Sequence, residues 1–166
     1  VNGAAASVHV VRSLDEIIGR QGAIDVLQPV DFDYRQTPQG QVSARSGKAS
    51  VEWVLKAGEL AASGQVGALV TAPINKEACS LAGYKDIGHM ELLQSLSGAG
   101  EVATMLMADS LRVVHLTTHR SVRIACDYVT KANVLSKIML MHDSFQGWGF
   151  PSPRIGVAAL NPHASD

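Results

Sequence analysis

The sequence has no apolar run approaching the ~20 residues that a helix needs to cross a bilayer, and its first residues show no charged-then-apolar leader pattern. It has no excess of charge of either sign: 14 Lys and Arg stand against 15 Asp and Glu, for a formal net charge of -1. Nucleic-acid and membrane-surface binders need a basic field, so neither partner is expected, although a local basic pocket for a small anion stays open. Cysteine is scarce. Cys79 and Cys126 are the only two, and neither lies in a CxxC pattern. Both are read as buried or partly buried free thiols, which makes a reducing, cytoplasmic compartment the expectation. Glycine-rich nucleotide fingerprints of the GxGxxG or P-loop type are missing, as are a GxSxG nucleophile elbow and an HExxH metal motif. There is no internal repeat and no low-complexity stretch.

What is present is apolar material in a regular order. Hydrophobic residues make up 46% of the 166 positions, enough for the core of one domain or of a piece of a larger one. The chain opens at Val1 and stops at Asp166, just after a polar motif. An internal fragment of a longer protein is therefore expected.

VHVVR (8–12) and AIDVLQPV (23–30) read as short strands, with Ser13 and Glu16 between them in capping-box spacing for a helical turn or two. Residues 31–43 read as a loop. Val51, Val54, Leu55, Gly58 and Ala62 recur at helical spacing, which predicts a helix from Ala44 to Ser63 stopped by Gly64. GALV (67–70) reads as a buried strand, and NKEACSLAG (75–83) and HMELLQSLSG (89–98) as helices. VATMLMA (102–108) and LRVVHL (111–116) read as adjacent strands joined by a tight Asp109-Ser110 turn. Thr130 caps a helix to Gln146 with an apolar stripe of Val134, Ile138, Met141 and Phe145. RIGVAAL (154–160) is a last apolar strand. The alternation of strands and helices implies an α/β/α sandwich on a mostly parallel sheet, with one antiparallel pair at Asp109.

Three of these strands run into polar motifs: TAPINK (71–76), TTHRSV (117–122) and NPHASD (161–166). Ligands of α/β sheets bind at the carboxyl ends of strands, so three such loops point to one pocket. His119 and His163 are candidate metal ligands, because neutral imidazole is a common ligand of divalent ions. A loop histidine is also a frequent hydrogen-bonding residue, and a catalytic zinc usually has three protein ligands, so a third must come from elsewhere. His89 follows Gly88 at a helix start, where it either donates to an anionic substrate beside free backbone amides or simply faces water. Lys76, also at a helix start, meets a phosphate or carboxylate or is solvated. Arg120 and Arg123 add positive potential beside His119 or face water. His115 is expected to be packed within its strand, His142 to be partly exposed, and His9 to lie in a strand.

In this order and spacing, VTAPINKEA, GHMEL, LTTHRSV and PRIGVAALNPHASD resemble the PdxA family of pyridoxine biosynthesis, from about Gly40 to the end. The resemblance implies a two-lobed fold similar to isocitrate and isopropylmalate dehydrogenases, of which residues 1–166 would lack the N-terminal start and the C-terminal half. It implies a homodimer with active sites near the subunit interface. It further implies NAD- or NADP-dependent oxidation of a secondary alcohol in a phosphorylated hydroxy acid such as 4-phosphohydroxy-L-threonine, commonly with loss of CO2. A divalent ion (Zn, Mg, Mn or Co) would be held by His119, His163 and a third histidine in a YHDQG-type motif that this chain does not contain. His89, Met90 and Lys76 would line the substrate site, while the catalytic and cofactor-binding residues stay unknown. One departure matters: the family's usual GHTE is GHME here, so Met90 replaces a threonine hydroxyl. That admits 4-phospho-D-threonate or a diol acid as substrate. A non-catalytic anion-binding or dimerisation remnant is the reading from another class. A metal-dependent hydrolase would use the same histidines, but no carboxylate-rich metal motif accompanies them.

Overall fold

The computed structural model describes residues 6–85 and 88–163, with Tyr34 described through its backbone only. Asp86 and Ile87 of the GYKDIGHMEL stretch and residues 164–166 of NPHASD lie outside the described residues. The chain is α/β and divides into two compact units, Val1–Ala99 and Gly100–Asp166.

The first unit opens with β1 (Ser7–Val11) and β2 (Ala23–Leu27), paired in parallel from Ser7↔Ala23 to Val11↔Leu27. Alternation along β1 places Val11 in the core and leaves Val8 and Val10 exposed. Between the strands the Ser13–Glu16 pair yields one 3-10 turn, Leu14–Glu16. Glu16 reaches back to accept from the Arg12 backbone N–H at 3.1 Å and from the Ser13 hydroxyl at 3.2 Å. His9 Nδ1 lies 2.7 Å from Asp25 Oδ1 across the pair, and Asp25 also accepts from the Gly19 N–H at 2.9 Å. These bonds, with the His9 side chain first, hold the Asp25 carboxyl below its ordinary value.

Helices form the core of this unit. In α1 (Ala44–Ala62) the Ser43 hydroxyl accepts from the Ser46 N–H at 3.2 Å, and Gly64 follows the C-terminal end at φ +71°. Of the expected apolar face, Val51, Val54 and Gly58 are buried, Leu55 is half-buried and Ala62 is exposed; Val51 and Val54 meet Cys79 of α2 (Lys76–Leu81) and Leu92 of α3 (His89–Ser97), with Ile74 packed alongside. α1 approaches both helices through glycine. A Cβ on Gly47 would overlap the Ala78 backbone carbonyl, and one on Gly58 would press on the Leu93 and Leu96 side chains. Gly47 is therefore the point where two backbones touch, a role that helical periodicity does not reveal.

In the second unit β3 (Met105–Ala108) and β4 (Leu111–Val114) form an antiparallel pair, Met105↔Val114 to Ala108↔Leu111. The tight turn is as expected, with Asp109 at φ +50°. Helix α4 (Val122–Tyr128), not foreseen from the sequence, is capped by the Ser121 hydroxyl. Helix α5 (Lys131–Gly147) is capped by Thr130 and carries its expected stripe, with Phe145 buried and in edge contact with Trp148 and Phe150. Lys137 of α5 pairs with Glu101 at 3.0 Å and donates to the Val102 carbonyl at 3.2 Å. Hydrogen bonds from Ser136 first and then Lys137 hold the Glu101 carboxyl below its ordinary value.

Four expectations need correction. GALV (67–70) and RIGVAAL (154–160) join no sheet among the described residues; Val70 is 93% exposed and Val157 62%. Composition supplies strand propensity, but a strand exists only by its ladder, and among the described residues neither segment has a hydrogen-bonded neighbour strand. His115 lies just past the end of β4 and is exposed rather than packed. Cys126 is exposed on the short α4, while Cys79 is fully buried as expected; both are free thiols.

Candidate functional site

Two of the three strand-end motifs belong to the second unit and one to the first. In the second unit, TTHRSV forms the turn from β4 into α4. His119 is exposed and sits at φ +54°, in the left-handed region. For a residue with a Cβ that conformation costs ~1–2 kcal/mol. The turn is fixed on its far side. The Ser121 hydroxyl accepts from the Ile124 N–H at 3.4 Å, and the Arg120 guanidinium lies 5.5 Å from the centre of the Tyr128 ring. Arg120 is thus engaged with α4, while Arg123 is exposed on the same helix. NPHASD follows the 154–160 segment, and His163 is exposed on a bend.

In the first unit, TAPINK has two structural anchors and one candidate ligand. Ile74 packs on the core, and the Asn75 side chain caps α2 by accepting from the Ala78 N–H at 2.8 Å. Lys76 is the first residue of α2 and is exposed. At the start of α3, the Glu91 carboxylate folds back over Gly88, where a Cβ would overlap it. An acidic group three residues into a helix suits the unpaired amides and dipole of that end. His89, the first residue of α3, is half-buried. Its Nε2 is buried and has no hydrogen-bond partner among the described residues, as is also true of Thr37 Oγ1 in the loop before α1. A buried ring nitrogen left unsatisfied costs ~1–3 kcal/mol, which a ligand group of matching polarity recovers. Met90 follows, 37% exposed.

Among the described residues no group of three or more His, Cys, Asp or Glu is placed to hold a metal ion. His119 and His163 lie in the same unit, and two imidazoles suit zinc, manganese or cobalt in donor chemistry but fall one ligand short of a usual catalytic set. His89 and Lys76 belong to the other unit. Sequence reasoning missed the left-handed backbone at His119 and the α4 cap. A Ser121 that precedes Val122 and Ile124 is a start signal that would have found the cap. The positive φ had only a weak signal in the residue names: His, like Asn and Asp, adopts it more often than other non-glycine residues, but seldom in absolute terms.

A family model described as "Pyridoxal phosphate biosynthetic protein PdxA" matches residues 3–166. A protein of Fusobacterium nucleatum, provisionally named D-threonate 4-phosphate dehydrogenase, is 35% identical over 159 residues, covering 96% of this chain and 48% of that protein. The crystal structure of a 4-hydroxythreonine-4-phosphate dehydrogenase from Burkholderia phymatum is similar with a TM-score of 0.80 at 36% identity, covering 97% of this chain and 48% of that one. One from Klebsiella pneumoniae has a TM-score of 0.87 at 34% identity, covering 96% and 48%. The chain spans about half the length of the curated relatives it matches.

Proposed function

Because the chain belongs to the PdxA family, we propose that it contributes half of an NAD- or NADP-dependent dehydrogenase that oxidises a secondary alcohol in a small phosphorylated hydroxy acid. The observation that carries this reading is His119. Two non-glycine residues among those described have positive φ: Asp109, in the tight β3–β4 turn, and His119, which lies in no hairpin; such backbone gathers at functional sites as well as at turns. Here the strained residue is the histidine of the family's TTH motif, in a turn fixed by Ser121 and by Arg120 on Tyr128.

In this reading the family-length chain builds an α/β/α sandwich of the isocitrate dehydrogenase kind and works as a cytoplasmic homodimer. No helix among the described residues is long and apolar enough to cross a membrane. His119 and His163 hold a divalent ion together with a ligand from the half of the family chain not spanned here. When bound, the ion supplies Lewis-acid polarisation at the substrate hydroxyl, and the nicotinamide supplies the hydride acceptor. His89 offers its otherwise unpaired Nε2 to a polar substrate group at the start of α3. Lys76, exposed at the start of α2, pairs with the phosphate as a point charge. Met90 offers no hydroxyl where the family usually has one, so a substrate group that relied on it would lose ~1–3 kcal/mol if buried unpaired. The Fusobacterium nucleatum relative is provisionally named for D-threonate 4-phosphate and the solved relatives for 4-hydroxythreonine 4-phosphate, so both acids are candidate substrates.

The test is nicotinamide reduction by the family-length protein carrying these residues, with both phosphorylated acids, both cofactors and a panel of divalent ions. Reduction with one of the acids, abolished by a chelator and restored by metal, is the expected result. No reduction with any combination would overturn the proposal.

A further inference from the structure

His119 is exposed, so its φ of +54° is not held by burial of the histidine itself. The support on the α4 side can be weighed contact by contact. The Ser121 cap gives little, because its hydroxyl accepts from the Ile124 N–H at 3.4 Å, the long end of hydrogen-bond geometry. Packing of α4 adds little more, since none of its seven residues is buried. One contact spans this helix from end to end. Arg120, two residues before α4, lays its guanidinium 5.5 Å from the ring centre of Tyr128, the last residue of α4. The Tyr128 backbone is tied in turn to the start of α5. Its carbonyl accepts from the Asn133 side-chain amide at 2.8 Å and from the Thr130 N–H at 2.9 Å. α5 is anchored by buried Phe145 and by the Lys137–Glu101 pair at 3.0 Å. A continuous path of contacts thus runs from α5 through Asn133, Tyr128 and Arg120 to the His119 turn.

We propose that Tyr128 is a positioning residue. With its backbone pinned by Asn133, its ring is the seat on which Arg120 rests, and the brace so formed keeps His119 left-handed. The purpose of the brace rests on the reading of His119 as a metal ligand proposed above; its existence does not. A guanidinium stacks on an aromatic face through charge and flat contact together, and its in-plane N–H groups stay open to water, so the contact survives on the surface. The magnitudes also match. Left-handed strain in a residue with a Cβ and a cation–π contact are of the same order, so losing the contact shifts the population of the turn without unfolding the unit. A histidine already in place binds an ion at its intrinsic affinity. One that must first be ordered binds in proportion to the fraction of molecules holding the competent turn.

The experiment uses the family-length protein carrying these residues, with isotopically labelled histidine. The one-bond Cα–Hα coupling of His119 reports the sign of φ, and zinc alone, titrated against a fluorescent chelator, reports binding. Tyr128→Leu is expected to move the coupling toward its negative-φ value and to weaken zinc binding roughly two- to fivefold. Tyr128→Phe retains the ring and should keep both parent values. Arg120→Gln should reproduce Tyr128→Leu, and the double variant should be no worse than either single one, because the two side chains act as a unit. Arg120 is exposed, so Arg120→Gln decides the matter even where Tyr128→Leu fails to fold. Positive φ retained at His119 without the stack would overturn the brace, whatever zinc does. Positive φ lost with parent zinc affinity would overturn the positioning role. Parent zinc affinity in His119→Ala would instead remove the ligand reading, and the purpose of the brace with it, so the two failures are told apart.

Discussion

The two units of this chain differ in how much of their interior they supply for themselves. Among the described residues, every buried apolar side chain except Phe145 belongs to the first unit, most of them where α1 meets α2 and α3. In the second unit, the long helix α5 buries one aromatic, and the segment after it is mostly exposed. Three helices adjacent in sequence can close a core by local contacts, whereas an apolar strand is unfinished until another strand lies beside it. Stability in the first unit therefore depends on fit, whereas the second unit buries little apolar surface of its own.

The strongest way to break this contrast is at Gly47. Gly47→Ala is expected to destabilise the first unit by about 3 kcal/mol or more, beyond ordinary overpacking, because the added methyl meets backbone that cannot rotate away. Gly58→Ala, whose methyl meets only flexible leucine ends, should stay within about 1 kcal/mol of the parent, helped by helix propensity. Urea denaturation of both variants checks this. Equal midpoints would show that α1 does not rest on α2 as described.

Helices α1, α2, α3 and α5 were legible in advance because their signals are local, while α4 was missed. Ser43, Asn75 and Thr130 cap where a side-chain acceptor precedes an apolar period, and Gly64, Gly83 and Gly98 follow the ends at positive φ. The hairpin at Asp109 was legible for the same reason. GALV and RIGVAAL misled because strand identity lies in a neighbour, which no window of sequence contains. The site was legible as motifs but not as geometry. TTH and NPHA named His119 and His163, yet the positive φ of His119 and the unpaired Nε2 of His89 arise from packing around them.

A smaller effect sharpens the second unit. His119→Gly should stabilise the chain by about 0.5–1 kcal/mol, the relief of left-handed strain less the extra chain entropy of glycine. His119→Ala keeps the strain and should give no gain. In the family-length protein both should lower metal content equally, as measured by elemental analysis. A stabilising Gly variant with unchanged metal content would separate the strain from any ligand role.

The smallest expected effect is in acid, and it compares the units directly. Asp25 in the first unit and Glu101 in the second both have lowered folded-state values, against ordinary values of 3.8 and 4.5. Each contributes stability that is present above its ordinary value and is lost as pH falls through the lower folded one. Asp25→Asn and Glu101→Gln should each flatten the acid side of the stability profile, and only in their own unit when exchange is read residue by residue. A profile unchanged by either variant would show that the carboxylates are not coupled to folding.

The contact between Gly47 and Ala78 bears on how a mutational screen of this family would be read. Lys76 occupies the first turn of α2, and the height of that turn is gauged by a residue on another helix that touches no ligand. A loss-of-function scan would score Gly47 beside the histidines. Thermal melts, not activity, would tell the gauge from the chemistry.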